Sequence, residues 1–343
     1  MRAMAVESRR ASWAAGGRRR AVVLKARGIA RVTRDRMIDV QVRQLRDRVR
    51  DLKSGATDVL YLGESSTFHV DPRDTDRRTL LDMVADESAM SVAPIRGPGH
   101  GPALWSEFIR VLASLEIRPR AVVVPMVVRT TALHLRAHPV YSYPQSLARL
   151  RAIPHADASI RPWGRWTRAS EADYERFHAL TVHTRWGGER TIGDWRRLLR
   201  GARYRLDDRD FRATLFDYFH GEVITEENPG VLEWRRLGER LRDYGVPVVS
   251  NWTPVPLEAG EELFPGEFRE QVEQNFAVIE RAFLEGVGPL ALPAPPEHVP
   301  DDEFIEPRDG TEHLNEAGRL RLARGIVSRL KELESQRAPS GPA

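Results

Sequence analysis

Three side chains from opposite ends of the chain could together perform nucleophilic acyl chemistry. Ser65 follows an apolar run that ends at Gly63, and an acid and a histidine, Asp309 and His313, share one loop far along the chain. A serine hydroxyl becomes a nucleophile when a histidine takes its proton, and a carboxylate can orient the imidazole. These residue types therefore fit acyl transfer through a serine ester. Ser65 also fits a plainer interpretation, since Gly-acid-Ser after a strand is an ordinary turn with an N-cap serine.

The segments around these residues indicate how they would be positioned. In residues 58–62, Asp58 is followed by an apolar run with a β-branched and an aromatic side chain, which is typical of a buried central strand. Chemistry in an open parallel sheet lies beyond the carboxyl ends of the strands, where Ser65 would stand. After His313, a basic segment carries apolar residues at roughly helical spacing and predicts a terminal amphipathic helix. We expect His313 to reach over the sheet edge from the start of that helix.

Both segments resemble motifs of the SGNH/GDSL hydrolase family. Gly63-Glu64-Ser65 is similar to its first block, Gly-Asp-Ser, and His313-Leu314-Asn315 followed by Gly318 is similar to its last, Asp-x-x-His-Leu-Asn-x-x-Gly. The resemblance covers roughly residues 55–335. It implies that Ser65 is the nucleophile, His313 the general base and Asp309 the orienting acid, with neither metal nor cofactor. The backbone N–H groups of Ser65 and Gly99 would form the oxyanion hole, with Gly97 as the alternative to Gly99.

Two positions depart from the pattern of that family. The family's acid stands three residues before the histidine, where this chain has Gly310, and Asp309 lies one position further back. Glu312 is adjacent to the histidine and would normally point away from it. The family also places an oxyanion-binding asparagine after the third strand, where this chain has Val127-Val128. Arg129 and Asn251, both near predicted strand ends, are the candidate replacements.

Alternating strand and helix patterns predict an α/β fold of right-handed βαβ units. We expect a flavodoxin-like three-layer α/β/α sandwich with five parallel strands, in one domain over residues 37–335. The predicted strands are residues 58–62, 90–95, 120–126, 246–251 and 287–292, and the principal predicted helices are residues 37–52, 79–84, 102–115 and 268–283. Residues 130–244 are too long for a single crossover and predict a mainly helical insertion or lid. Most of its tryptophans are expected to fill its own core.

Composition narrows the class of protein. The chain has 343 residues, 41% of them hydrophobic and 30% charged, which is typical of a globular protein, and it has no run long enough to span a membrane. It contains no cysteine, which is compatible with the reducing cytoplasm and excludes a thiol nucleophile. Residues 1–36 form a basic arm, interpreted as a disordered leader rather than a nucleic-acid contact, and residues 336–343 a disordered tail. His134 and His138 have helical spacing but lack the glutamate of a zinc motif.

The function that these patterns favour is hydrolysis or transfer of an ester-linked acyl group. An acetyl group on a carbohydrate or a surface polymer is the preferred substrate, although the family resemblance fixes the reaction better than the substrate. The alternative is a non-catalytic SGNH-like domain that binds a glycan or a protein. In that case Ser65 and His313 would remain, and the missing asparagine would explain the loss of catalysis.

Overall fold

The computed structural model describes residues 37–153, 160, 163–164, 168–201, 205–294 and 298–337. The predicted basic arm, residues 1–36, lies outside these ranges, and so do residues 338–343 of the predicted tail. The first two residues of that tail, 336 and 337, belong to the last helix, which runs over Glu316–Arg337.

A five-stranded sheet forms the centre of the described chain, and every neighbouring pair in it is parallel. The strand order is β2-β1-β3-β4-β5, which is the flavodoxin-like order, so the predicted fold class is confirmed. In this order the connections change direction beside β1, and ligands bind there beyond the carboxyl ends of the strands. The strands are β1 (Val59–Gly63), β2 (Val92–Arg96), β3 (Ala121–Met126), β4 (Val248–Trp252) and β5 (Ala291–Pro293).

Helices cover both faces of the sheet. Leu60 and Leu62 of β1 pack in a core shared with α1, α3, α4 and α5, whereas Val59 and Tyr61 face a second core shared with α2 and α6. Because both faces are covered, β1 and β3 are buried along their whole length, which explains their continuous apolar runs. These helices are α1 (Val40–Lys53), α2 (Leu80–Ser88), α3 (Pro102–Ser114), α4 (Pro229–Tyr244), α5 (Phe268–Val287) and α6 (Glu316–Arg337). No helix in the described ranges is both long and apolar enough to cross a membrane.

The first predicted helix begins later than its hydrophobic pattern indicates. Met37–Ile38 is extended and pairs antiparallel with Trp163–Gly164. The Asp39 side chain then accepts hydrogen bonds from the N–H groups of Gln41 and Val42 and starts α1. The last strand also begins later than predicted, at residue 291 instead of 287. Helix α5 continues to Val287, and a short 3-10 turn, Gly288–Leu290, precedes β5.

The predicted insertion, residues 130–244, is helical with one hairpin. Its last helix, α4, packs against α3 and α5 on the sheet, so it belongs to the sandwich itself. Trp195 and Trp234 are fully buried, but Trp234 packs on Trp105 and Phe283 in the core of the sandwich and not in a core of the insertion itself. The side chains of Trp163 and Trp166 lie outside the described part. A hairpin pairs Thr181–Thr184 with Gly188–Thr191. The helices between β3 and α4 are Val128–Thr131, Leu133–Arg136, Pro144–Arg151, Glu171–His178, Ile192–Leu198 and Arg209–His220; Leu257–Leu263 follows β4.

Two glycines allow α4 and α5 to pack closely. A Cβ atom at Gly238 would lie 2.5 Å from the Phe283 carbonyl oxygen, and one at Gly286 would lie 2.4 Å from that of Arg235. Glycine normally weakens a helix by about 1 kcal/mol relative to alanine. We therefore interpret both glycines as requirements of the helix contact.

Gly238→Ala should destabilise the protein, although alanine is the better helix former. Overpacking at a rigid backbone contact costs about 1–3 kcal/mol, which exceeds the gain in helix propensity. Urea unfolding followed by circular dichroism measures the change, and Gly286→Ala should behave in the same way. A more stable Gly238→Ala protein would contradict the close packing described here.

Candidate functional site

Ser65 lies directly beyond the carboxyl end of β1. It begins a 3-10 turn, Ser65–Thr67, and the side chain of Glu64 caps that turn by accepting from the Ser66 N–H at 3.0 Å. The buried Glu64 carboxylate also accepts from the hydroxyl groups of Ser66 and Ser65, the latter at 3.0 Å. The acid before the serine therefore has a definite local task, which is to fix the turn that presents Ser65.

The loop that carries His313 is fixed by backbone contacts on both sides of the residue. The Ile305 N–H donates to the His313 carbonyl, and Asn315 N–H donates to the Glu303 carbonyl, both at 2.9 Å. The Asn315 side chain accepts from the N–H groups of Ala317 and Gly318 and so caps the start of α6. A Cβ at Gly318 would lie 2.6 Å from the Glu303 carbonyl oxygen, so this position needs glycine. The histidine, asparagine and glycine of the second motif thus build one local structure.

A buried arginine joins the two halves of the site. The Arg319 side chain is fully buried, and its guanidinium donates to the Asp74 carboxylate at 2.7 Å. It also donates to the carbonyl groups of Asp76, Arg78 and Leu314. These contacts hold the loop that follows Ser65 against the helix that follows His313. Sequence reasoning missed Arg319, because an arginine in a basic amphipathic helix reads as exposed.

The structure brings Ser65 and His313 together across the sheet edge. Their side chains form a pair, here called the dyad, with His313 Nε2 3.4 Å from Ser65 Oγ. The imidazole also stacks on the exposed ring of His69, with ring centroids 4.3 Å apart. The Ser65 hydroxyl has only one proton, and Glu64 Oε2 at 3.0 Å is the nearer acceptor. A small rotation about the serine side chain is therefore needed before His313 can take that proton.

The environment of His313 favours the neutral imidazole. Burial, the Arg129 guanidinium and the neighbouring His69 together lower the pKa of His313 to about 3. A neutral ring has one nitrogen free to accept a proton. Within the described chain, no side chain accepts a hydrogen bond from His313 Nδ1.

Asp309 does not contact His313, contrary to its predicted role as orienting acid. Its carboxylate accepts from the N–H and the hydroxyl of Thr311, at 2.8 and 2.6 Å. Burial raises the pKa of Asp309 above its usual value, against the lowering effect of those two hydrogen bonds. Asp309 points away from His313 because of the backbone of the loop between them. Gly310 has φ +69°, and its carbonyl accepts from His220 Nε2 at 2.8 Å. The extra residue therefore turns Asp309 back onto Thr311.

The acid adjacent to the histidine is held by Arg129. Arg129 Nε donates to Glu312 Oε1 at 2.6 Å, and its Nη2 forms an ion pair with Oε2 of the same carboxylate. Glu312 is almost fully buried, and this burial together with the nearby Glu64 raises the pKa of Glu312 to about 7, while Arg129 opposes the shift. Arg129 therefore influences the dyad through its positive charge, which lowers the pKa of His313. Its guanidinium is already engaged, which argues against its predicted role as an oxyanion donor.

The remaining candidate residues lie around the same edge without contacting the dyad. Gly63 and Arg96 are register partners, so the loops that start at Glu64 and Gly97 leave the sheet side by side. In that loop Gly99 has φ +69° and approaches Tyr141, while Gly97 packs closely on the buried His100. Asn251 lies in β4 opposite Pro125; it is buried, and its Oδ1 has no hydrogen-bond partner among the described residues.

If Ser65 is the acyl nucleophile that the sequence predicts, Asp309→Asn should reduce hydrolysis of p-nitrophenyl acetate only modestly, by less than about tenfold. In the serine-protease template the same change to an orienting acid costs roughly ten-thousandfold, because the imidazole adopts the wrong tautomer. Asp309 bonds to Thr311 here, so that mechanism does not apply. Steady-state kcat/KM with p-nitrophenyl acetate measures the loss. A loss near the template value would mean that Asp309 reaches His313 during turnover.

The pH below which kcat/KM falls should depend on the positive charge of Arg129, because that charge lowers the pKa of His313. With a pKa near 3, His313 stays neutral and able to accept a proton well below pH 6.5, so kcat/KM should not fall through that region. Arg129→Gln removes a positive charge that disfavours the imidazolium, so the pKa of His313 and the acid limb should both move to higher pH. Arg129→Lys keeps the charge and is the matched control. If the acid limb of the pH profile lies at the same pH in the Gln and Lys variants, the charge of Arg129 does not set the pKa of His313.

Comparisons with known proteins do not assign this chain to a family. A scan against protein-family models found no match, and a search of curated proteins found none either. Among the described residues, no group of three or more histidine, aspartate or glutamate side chains is arranged to hold a metal ion. The functional argument therefore depends on the two motifs and on the geometry of the dyad.

Proposed function

We propose that this protein hydrolyses or transfers an ester-linked acyl group through a Ser65 acyl-enzyme. The observation that carries the proposal is the 3.4 Å approach of His313 Nε2 to Ser65 Oγ, beyond the carboxyl end of β1. A hydroxyl and a neutral imidazole at this edge of a parallel sheet are the two groups that acyl transfer requires first. The acyl group that we favour is acetyl, carried by a carbohydrate or a surface polymer.

The proposed reaction has two half-reactions. Ser65 Oγ attacks the ester carbonyl while its proton passes to His313 Nε2, and the imidazolium then protonates the departing alcohol. In the second half, water or an acceptor hydroxyl attacks the acyl-serine and gives its proton to His313 Nε2. The bond between the acyl carbon and Ser65 Oγ then breaks, the imidazolium returns the proton to Ser65 Oγ, and the acid or the new ester leaves. Ser65 is the first residue of its 3-10 turn, so its own N–H is not used inside that turn and can serve as an oxyanion donor.

The electrostatics support proton transfer through His313 but not rapid turnover. The low pKa of His313 keeps the ring ready to accept a proton, yet the same surroundings disfavour the imidazolium that must form. A carboxylate on Nδ1 would stabilise that charge in the serine-hydrolase template. Since Asp309 and Glu312 bond elsewhere, we expect a slower enzyme than one with a complete triad.

A second candidate function is a non-catalytic domain that binds a glycan or a protein. The observation that favours it is that no carboxylate among the described residues activates the dyad. The Ser65 hydroxyl donates its hydrogen bond to Glu64, and His313 lacks a carboxylate partner in the described chain. A site that has lost catalysis would retain the fold and the two motifs in this way. The two candidates differ in whether Ser65 can be acylated or phosphonylated.

Ser65→Ala should abolish labelling by a fluorophosphonate probe and reduce hydrolysis of p-nitrophenyl acetate by several orders of magnitude. His313→Ala should lose nearly as much, and the double variant little more, because the two residues act as one unit. Gel fluorescence and steady-state kinetics measure these losses. Ser66→Ala is the matched control, since Glu64 is the one partner of its hydroxyl in the described part of the chain. Folded wild-type protein that takes no label would favour the binding domain.

A further inference from the structure

A large, open cleft lies among the helices of the insertion. Its volume is about 850 Å³, and its lining includes residues of the helices Leu133–Arg136, Ile192–Leu198 and Arg209–His220. A volume of this size holds a sugar or drug-sized molecule and far exceeds an acetyl group. Its occupant would therefore be the larger part of a substrate, which for an acetyl ester is the alcohol part.

The rim of the cleft is cationic. Arg196, Arg197 and Arg200 are exposed along one side, whereas no aspartate or glutamate is among the described residues that line it. Arg197 is paired with Asp194. Arg196 donates to His178 Nε2 at 3.3 Å, and neither Arg196 nor Arg200 has a carboxylate partner in the described ranges. Two guanidinium groups are thus available for an anion from outside.

The lining of the cleft also contains aromatic side chains. Phe219 and Tyr218 belong to it, and His134 packs on Tyr218 with ring centroids 4.5 Å apart. Burial and nearby cations lower the pKa of His134 to about 3, so this histidine is neutral and adds no charge. Aromatic side chains and arginines in one cleft offer a flat apolar contact to a ring and a charged contact to its substituent.

Arg129 connects the cleft with the dyad. Its guanidinium lies over the ring of Phe219, 4.9 Å from the centroid, and is part of the lining of the cleft. The same guanidinium binds Glu312, the residue directly before His313. The cleft and the loop that carries His313 therefore share one side chain, which makes the cleft the candidate place for the rest of a substrate of the dyad.

We propose that this cleft binds an anionic group, a carboxylate or a phosphate, on the alcohol part of the ester substrate, through Arg196 and Arg200. The proposal rests on the proposed function, because it names the substrate class of the same site. It assigns Phe219 and Tyr218 to the ring of the substrate and the two arginines to its charge. An uncharged acetyl ester would then be a poor substrate for want of this contact.

The first test compares esters that differ only in charge. para-Acetoxybenzoate and para-acetoxybenzamide have the same acetyl group and nearly the same shape, and para-acetoxyphenyl phosphate presents the other anion. We expect kcat/KM for an anionic ester to exceed that for the amide by about tenfold at low salt, and added NaCl to reduce the ratio. A preference for the benzoate or for the phosphate identifies the anion. Equal values for all three esters would overturn the proposal.

The second test removes the arginines. In the protein with Arg196→Gln and Arg200→Gln together, the ratio of anionic to neutral ester turnover should fall towards one. Arg236→Gln together with Arg242→Gln is the matched control, since it removes two exposed charges from α4, neither of which lines the cleft. A ratio that survives in the double variant, or that falls as far in the control, would show that general surface charge and not the cleft selects the anion.

Binding separates failure of this proposal from failure of the proposed function. If the wild-type protein turns over none of the esters, the enzymatic function is wrong, but the cleft can still be tested. Calorimetry with the Ser65→Ala protein should show tighter binding of para-acetoxybenzoate than of the amide, and loss of that difference in the double arginine variant. Equal binding of the two compounds would refute the anion site, whatever the protein catalyses.

Discussion

The candidate site depends on the buried side chain of Arg319. A guanidinium without solvent must be matched by hydrogen-bond acceptors, since an unpaired buried charge costs several kcal/mol. Arg319 obtains them from the Asp74 carboxylate and from three carbonyl groups on two separate segments. Satisfying this one cation therefore fixes the loop after β1 relative to the start of α6. Ser65 and His313, which are 248 positions apart in the chain, meet as a consequence.

The charges around the dyad form a second, coupled system. Glu64 and Glu312 are both buried within interaction distance, and among the described residues only Arg129 forms an ion pair with one of them, Glu312. Burial and the Arg129 charge lower the pKa of His313, while Glu64 caps the turn that begins at Ser65. The acids of this site therefore serve mainly to fix the backbone and to balance Arg129. The same balance distinguishes the site from a complete Ser-His-Asp triad.

The insertion contributes to the site rather than only covering it. His220 at the end of its helix Arg209–His220 bonds the Gly310 carbonyl in the His313 loop, and Phe219 beside it supports the Arg129 guanidinium. The insertion thus stabilises the loop geometry and also provides the cationic cleft. A substrate that occupies the cleft would contact the element that positions the base, which couples recognition to the chemistry.

The sequence by itself determined the sheet and its flanking helices, which follow from hydrophobic periodicity. The pairing of Ser65 with His313 was predicted from two short motifs and their resemblance to a family, and in the structure it depends on the contacts of the buried Arg319. Only the tertiary structure decided which groups the acids bind. Asp309 turned to Thr311 because His220 and the φ of Gly310 shape the loop. Glu312 accepts a hydrogen bond from Arg129, which is 183 positions away in the sequence. The partner of a buried charged group depends on which residues, distant in sequence, the fold places beside it away from water. No local sequence pattern predicts those neighbours.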